Sequence, residues 1–202
     1  MESYRSSDGF VRPEATPAAG PEDVAEVVEY LRVRGLAPDD EDAGHLLLRL
    51  LELPGRESSR RVSVRRAADS LYVSRRTLGR RCRAAGLPHP SQILCFGRVL
   101  NSVRLLKLTG WTLHKVANAT GWPDQFTLSN AMHRLTGMRP TEARTRGILY
   151  LAEAWLQREA EAGRATLREP APPACPSCGQ AMEVPGKVLA VAERRAAHVR
   201  RT

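Results

Sequence analysis

Hydrophobic residues recur at helical spacing over most of the chain. Residues 62–146 alternate such patterns with short breaks, and they contain no run of alternating apolar and polar residues that would predict a strand. Two amphipathic helices are predicted before this region, within residues 21–38 and 39–55, and one after it, over residues 148–163. The pattern therefore predicts an all-α protein, in which the two short N-terminal helices dock on another part of the chain or pair with a partner.

Proline and glycine mark the ends of the predicted helices. The second N-terminal helix is predicted to end at Pro54-Gly55, and a helix of about nineteen residues, Ser91–Thr109, is bounded by a proline and a glycine. At 1.5 Å per residue, this longer helix extends over roughly 28 Å. Gly97 lies in its middle and is predicted to weaken it by about 1 kcal/mol relative to alanine.

Two stretches of the chain, which begin at Val62 and Trp111, share a pattern at a spacing of fifty residues. The matching pairs are Ala67 and Ala117, Ser74 and Asp124, Leu78 and Leu128, Cys82 and Met132, and, one position later in register, Gly86-Leu87 and Gly137-Met138. A repeat of this kind indicates that the same supersecondary unit occurs twice.

Each unit consists of a short helix, a tight break and a second helix with a narrow apolar stripe. Ser74 and Asp124 are predicted to cap the second helices, because their side-chain oxygens can accept hydrogen bonds from free N–H groups in the first turn. The stripes consist of Leu78 and Cys82 in the first unit, and of Leu128, Met132 and Leu135 in the second. The rest of each second helix is left exposed, which is typical of a helix-turn-helix, whose second helix enters the major groove of DNA.

The predicted exposed faces carry side chains that can read base edges. The first unit presents Arg75, Arg76, Thr77, Gly79, Arg80, Arg81 and Arg83, and the second presents Gln125, Phe126, Thr127, Ser129, Asn130, His133 and Arg134. Arginine pairs with guanine, glutamine and asparagine pair with adenine, and an aromatic ring can contact a thymine methyl group. A rigid helix between the units could hold them about 34 Å apart, one turn of DNA. The alternative is an ordinary solvated helix face, which the recurrence of both faces disfavours.

Charge is distributed unevenly along the chain. Residues 1–55 carry a net charge of −7, residues 56–146 a net charge of +14 and residues 147–202 a net charge of +2, within the formal total of +9. A basic block that contains both units indicates an acidic partner, and double-stranded DNA is the first candidate. No apolar run approaches the roughly 18 residues of a membrane span, and no secretory leader opens the sequence, so a cytoplasmic protein without a membrane partner is expected.

Several motifs in this region resemble the DNA-binding domain of the AraC/XylS family of bacterial transcription regulators. In chain order they are Ser-x-x-x-Leu-x-Arg at 74–80, Gly-Leu-x-x-Pro-Ser-x-x-Leu-x-x-x-Arg at 86–98, Thr-Leu-x-x-Val-Ala at 112–117, Gly-Trp at 121–122 and Gly-Met-x-Pro-x-Glu-x-Arg at 137–144. The resemblance implies two helix-turn-helix units, joined by a linking helix, that bind asymmetric promoter sites. Residues 1–55 are too short and too helical for the ligand-sensing β-barrel that members of this family usually carry.

The resemblance also implies which residues contact DNA. Carried over by position, the base-reading roles fall on Arg76, Gly79, Arg80, Gln125, Phe126 and Asn130. Together with the exposed faces, the predicted DNA-binding residues are Ser74, Arg75, Arg76, Thr77, Gly79, Arg80, Arg83, Asp124, Gln125, Phe126, Thr127, Ser129, Asn130 and Arg134.

The cysteines fall into two groups. Cys82 and Cys95 lie within helical patterns and are predicted to be small core residues. Cys175 and Cys178, in a proline-rich segment, are candidate zinc ligands; His198 is a candidate third ligand, or two chains could contribute one such pair each to a four-ligand site. A pair of free thiols in a linker fits the same residues equally well, and redox sensing is a weaker third interpretation. No other cofactor is expected.

The predicted organisation has five parts. They are a disordered N-terminus (1–20), a helical segment (21–55), the double helix-turn-helix domain (56–146), an amphipathic helix (147–169) and a proline-rich linker with a basic C-terminal helix (170–202). No phosphate-binding loop or metalloprotease motif is present, so an enzyme is not expected. The predicted function is a sequence-specific transcription regulator, with RNA polymerase and a homodimer formed through the termini as further candidate partners. The alternative is a degenerate helix-turn-helix protein that acts as a protein-interaction scaffold or a zinc-linked dimer.

Overall fold

A computed structural model of the chain describes residues 21–36, 41–56 and 61–163, and every regular element within these ranges is an α-helix. The predicted all-α class is therefore confirmed. In chain order the helices are α1 (Pro21–Val33), α2 (Glu41–Arg56), α3 (Val64–Ser70), α4 (Arg75–Ala84), α5 (Pro90–Thr109), α6 (Leu113–Ala119), α7 (Gln125–Thr136), α8 (Pro140–Arg146) and α9 (Ile148–Glu161). Among the described helices, none has both the length and the hydrophobicity that crossing a lipid bilayer demands.

The long helix α5 lies at the centre of the fold. It packs against α3 and α4 of the first unit and against α6 and α7 of the second, so it links the two units as predicted. It begins at Pro90, one residue before the predicted start, because the missing N–H of proline has no intrahelical partner in a first turn. It ends where Gly110 adopts a left-handed conformation with φ of 65°.

Helix α9 packs over α5 and contributes the largest buried side chain. Trp155 is fully buried, and its ring stacks on that of Phe96 with 4.1 Å between the ring centroids. Such a pair contributes about 0.5–1.5 kcal/mol beyond the area that it buries. Leu151 and Leu156 are also fully buried, while Ile148 is partly buried, so the predicted apolar face of this helix is the face that packs.

The two N-terminal helices dock on this core. Helix α2 lies against α5 in the most extensive helix–helix contact of the described residues, and α1 packs on α2 and α9. Helix α2 continues to Arg56, past the predicted end at Pro54-Gly55. Pro54 lies in the last turn, so its missing N–H and the crowding of its ring affect only the end of the helix. Of the two expectations for these helices, docking within the chain is the one that the structure shows.

Gly97 marks the place where α2 crosses α5. A Cβ atom at this position would lie 2.6 Å from the carbonyl oxygen of Leu51 and 3.1 Å from its Cα atom. Even a methyl group at this position would require the two helices to move apart. The sequence predicted only that Gly97 would weaken the helix, whereas the structure shows that it allows the two helix backbones to approach each other closely.

A partly buried hydrogen-bond network joins the end of α1 to α9. Arg34 donates from Nε and Nη2 to the two carboxylate oxygens of Glu153, at 3.1 and 2.7 Å, and the Tyr30 hydroxyl donates to Oε2 at 2.8 Å. Burial alone would raise the pKa of Glu153, but the hydrogen bonds from Arg34, Tyr30 and Gln157 outweigh it and hold the pKa below its usual value. Burial together with the neighbouring carboxylate raises the pKa of Tyr30 to about 12.

Candidate nucleic-acid interface

The first unit is formed by α3 and α4. Ser74 caps α4 as predicted, because its Oγ accepts a hydrogen bond from the Thr77 backbone N–H at 3.1 Å. The predicted stripe is buried, with Leu78 and Cys82 almost fully shielded from solvent. Burial raises the pKa of the Cys82 thiol to about 11, so at neutral pH this residue is an uncharged, small core side chain.

The side of α4 opposite this stripe is strongly basic. Arg76, Arg80 and Arg83 are exposed and lie at spacings of four and three, so they form one row pointing away from the core. Arg75 and Arg81 are exposed on the flanks of this row. Among the described residues, no acidic side chain forms an ion pair with any of these five arginines. Their charges are therefore available to an anionic partner.

The second unit, α6 and α7, repeats this construction. The carboxylate of Asp124 accepts hydrogen bonds from the backbone N–H of Thr127 at 2.7 Å and from its hydroxyl at 2.8 Å, so Asp124 caps α7 as predicted. These hydrogen bonds, above all the one from the backbone N–H, lower the pKa of Asp124. Leu128 and Met132 are fully buried and Leu135 is nearly so, which confirms the predicted stripe.

The outer side of α7 carries fewer charges and more varied chemistry than that of α4. Phe126 is 70% exposed, an unusual position for a phenyl ring on a protein surface. Asn130, His133 and Arg134 are also exposed, while Gln125, Thr127 and Ser129 are half-buried. In the first unit, Thr77 and Gly79 are half-buried, and a Cβ atom at Gly79 would have open space around it.

The turns of the two units are equivalent, but with a shift in register that the repeat did not predict. The backbone N–H of Val73 donates to the carbonyl of Ala68, and that of Trp122 donates to the carbonyl of Ala117, at 3.0 and 2.9 Å. Ala117 thus corresponds to Ala68, not to Ala67 as the spacing of fifty predicted. The second turn is one residue longer than the first, so the spacing of fifty holds only from the caps to Cys82 and Met132.

The same turns differ in their left-handed residue. Gly121 has φ of 71° in the second unit, and the equivalent position in the first is Tyr72, with φ of 54°. A left-handed conformation strains any residue with a Cβ atom. The Tyr72 side chain is 97% exposed, so its ring makes little contact that would offset this strain.

Arg98 of α5 holds the second turn in place. Its Nη1 donates to the carbonyl oxygen of Gly121 at 3.0 Å, and its guanidinium lies 3.8 Å from the centre of the Trp122 ring. The Trp122 indole N–H donates in turn to Ser102 of α5 at 3.1 Å. Burial lowers the pKa of Arg98, although the side chain remains the donor of this contact. The sequence placed Arg98 in a motif but assigned it no role.

The candidate zinc ligands, Cys175, Cys178 and His198, lie outside the described residues, as does the predicted C-terminal helix. Within residues 21–36, 41–56 and 61–163, no three His, Cys, Asp or Glu side chains are grouped so that they could hold a metal ion. Cys95 is half-buried and Cys82 is buried, and neither forms a disulfide.

One region of the chain is similar to known proteins. A family model described as a helix-turn-helix domain matches residues 67–146, which confirms the predicted resemblance over this region. A DNA-binding transcriptional dual regulator from Escherichia coli K-12, known from a crystal structure, is 22% identical in sequence to this chain. The match covers 50% of this chain and 90% of that chain, with a TM-score of 0.44. The DNA-binding domain of AdpA, a global transcriptional factor crystallised with a target DNA, is 28% identical, with the same coverage and a TM-score of 0.42. No curated protein matches the chain.

Proposed function

We propose that this chain is a sequence-specific DNA-binding transcription regulator of the AraC type, whose DNA-binding part is the helix-turn-helix domain at residues 67–146. In this proposal α4 and α7 enter successive major grooves of one double-stranded DNA, and α5 sets the distance between them. The predicted DNA-binding residues on both helices then face base edges and phosphates.

The observation that carries the proposal is the row of exposed arginines on α4. Helix α4 contains no acidic residue, and its five exposed arginines form no ion pair with a described acidic residue. Concentrating like charges on ten residues opposes the stability of an isolated protein, because the charges repel one another. A polyanion that enters this face removes the repulsion, and its condensed counterions are released on binding.

Helix α7 supports sequence selectivity. Asn130 can form two hydrogen bonds with an adenine edge, and the exposed ring of Phe126 can contact a thymine methyl group. Asp124 is occupied with capping, so we assign to it and to Ser74 the role of positioning the first turn of each helix against DNA. In this division the first unit supplies mainly electrostatic affinity and the second mainly discrimination between bases.

The test begins with selection of bound duplexes from random DNA, followed by fluorescence anisotropy on the selected duplex and on a shuffled one. Arg80→Lys is the informative variant, because lysine keeps the charge but loses the two-point contact that arginine makes with guanine. If Arg80 reads a base, the variant should lose about 1–3 kcal/mol on the selected duplex, chiefly through one base position. Its salt dependence should stay close to that of the wild-type protein.

Arg49→Gln serves as the control, because Arg49 is exposed and belongs to α2, which is neither of the two recognition helices. It should leave base preferences unchanged. A wild-type protein that enriches no sequence and shows no salt-dependent retention of DNA would refute the proposal and favour a scaffold role. An Arg80→Lys variant with unchanged base preferences would assign Arg80 to a phosphate instead.

A further inference from the structure

A basic concave surface connects the two candidate recognition helices. Two adjoining hollows, each of about 710 Å³, share Arg61, Cys95 and Arg134 in their lining. One of them also includes Gln92, which in turn lines a smaller hollow of about 280 Å³ beside Arg83 of α4. We call this continuous surface, from Arg134 on α7 across α5 to Arg83 on α4, the arginine cleft.

One wall of the arginine cleft is a single stripe of α7. Thr127, Asn130 and Arg134 all line it, and their spacings of three and four place them on one side of the helix. These are three of the residues predicted from the sequence to contact DNA. The cleft therefore opens beside the surface of α7 that is proposed to enter the major groove.

The floor and the opposite edge of the cleft are basic as well. Arg98 lies in the floor, and Arg61, which precedes α3, lies at the edge. Burial is the main cause that lowers the pKa of Arg98, and the charge of Arg61, which lines the same hollow, lowers it further. Arg61 and Arg134 are exposed, and no ion pair joins either of them to an acidic side chain of the described residues.

Acidic residues line the cleft only at its α9 end. Glu159 is buried and already has an interaction partner, while Glu161 and Arg158 are exposed there. The part of the cleft between α7 and Arg61 contains no acidic side chain in its lining. The charged side chains that line the part of the cleft beside α7 are therefore all arginines.

From this arrangement we infer that the arginine cleft binds the sugar-phosphate backbone of DNA where it passes between the two major grooves, with Arg61 and Arg134 contacting phosphates. The inference rests on the proposed function. When two helices enter successive major grooves on one face of a duplex, the minor groove and its two backbones lie between them and face the connecting surface. Arg61 was not among the residues predicted from the sequence to bind DNA, and it lies outside both second helices.

The test is a salt titration of DNA affinity with matched charge variants. Arg61→Gln and Arg49→Gln each remove one exposed positive charge, but only Arg61 lines the cleft. Loss of one phosphate contact reduces the slope of log K against log salt by about 0.9, which corresponds to roughly eightfold weaker binding at 0.1 M salt. We expect this change for Arg61→Gln on the selected and the shuffled duplex alike, and no change in slope for Arg49→Gln.

Phosphate ethylation interference locates the contact on the DNA. Ethylation of phosphates between the two major-groove footprints should weaken binding of the wild-type protein and should have a smaller effect on Arg61→Gln. The inference would be overturned if the wild-type protein selects a DNA sequence but Arg61→Gln and Arg49→Gln show the same slope of log K against log salt. That result would leave the proposed function intact. Loss of preference at a single base position would also overturn it, since a backbone contact weakens all sequences equally. A wild-type protein that does not bind DNA would refute both.

Discussion

Replacing Gly97 with alanine tests the packing of the N-terminal helices on the central helix. In the interior of a helix this substitution ordinarily stabilises, by about 0.5–1 kcal/mol, because alanine loses less backbone entropy on folding than glycine. At Gly97 the new Cβ atom would lie 2.6 Å from the backbone oxygen of Leu51. The two effects have opposite signs, so the measured sign shows which of them dominates.

The magnitude follows from the distance. An ordinary contact of this kind begins at 3.4 Å, so α2 and α5 must separate locally by roughly 0.8 Å to accept the Cβ atom. The obstacle is backbone, which cannot rotate away as a flexible side chain would. Overpacking of this type costs about 1–3 kcal/mol, and after the gain in helix propensity a net loss of about 1–2 kcal/mol is expected. For a unit of this size, that loss lowers Tm by roughly 3–8 °C.

Gly79→Ala is the matched control, because a Cβ atom at Gly79 meets no other atom within 4 Å. Urea titrations followed by circular dichroism should give a lower midpoint than wild type for Gly97→Ala and an equal or higher midpoint for Gly79→Ala, with the slope m unchanged. If Gly97→Ala proves as stable as Gly79→Ala, the close crossing of α2 and α5 is not a feature of the folded protein.

Two further predictions concern other parts of the core. Leu128→Ala should cost about 2–5 kcal/mol in unfolding free energy, because it leaves a cavity under α7. Phe126→Ala, on the exposed side of the same helix, should change the unfolding free energy by less than about 0.5 kcal/mol. Equal effects of the two variants would contradict the assigned buried and exposed faces of α7. Because the folded-state pKa of Glu153 is lowered from 4.5, its ion pair with Arg34 stabilises the fold above that pH, and this contribution is lost as pH falls through the folded-state pKa. The difference in urea midpoint between wild type and Glu153→Gln should therefore be largest at neutral pH and should shrink towards pH 3. A difference that does not change with pH would show that the network contributes no pH-dependent stability.

Much of the double helix-turn-helix could be predicted from local patterns. The caps at Ser74 and Asp124 and the buried positions of Leu78 and Leu128 depend on spacings within a single helix, and those spacings are explicit in the sequence. The long helix α5 was predicted to within one residue for the same reason. The predicted contacts with DNA remain predictions, since exposure of a side chain does not establish what it touches.

The turns were harder to predict than the helices. A turn at Tyr72 requires a left-handed residue, and sequence patterns assign that conformation to glycine, as they do correctly at Gly121. Tyrosine at this position concealed the equivalence, and alignment at a constant spacing then paired the wrong alanine with Ala117. The hydrogen bond from Val73 to Ala68 resolves the register because it identifies the turn by its backbone geometry.

The place where the acidic N-terminal segment docks could not be predicted from the sequence. The net charge changes from −7 to +14 near residue 55, yet α2 passes so close to α5 that a Cβ atom on Gly97 would lie 2.6 Å from the carbonyl oxygen of Leu51. Charge is a property of exposed side chains, whereas a core is defined by buried ones, and a single core can carry surfaces of opposite sign. The buried residues of α1 and α2 belong to the same apolar cluster as those of α5. Under the proposed function, this arrangement places the acidic helices on α5, the central helix that positions both recognition helices. A substitution that separates α2 from α5 at Gly97 should therefore affect the helix that supports the DNA-binding surface as well as the stability of the fold.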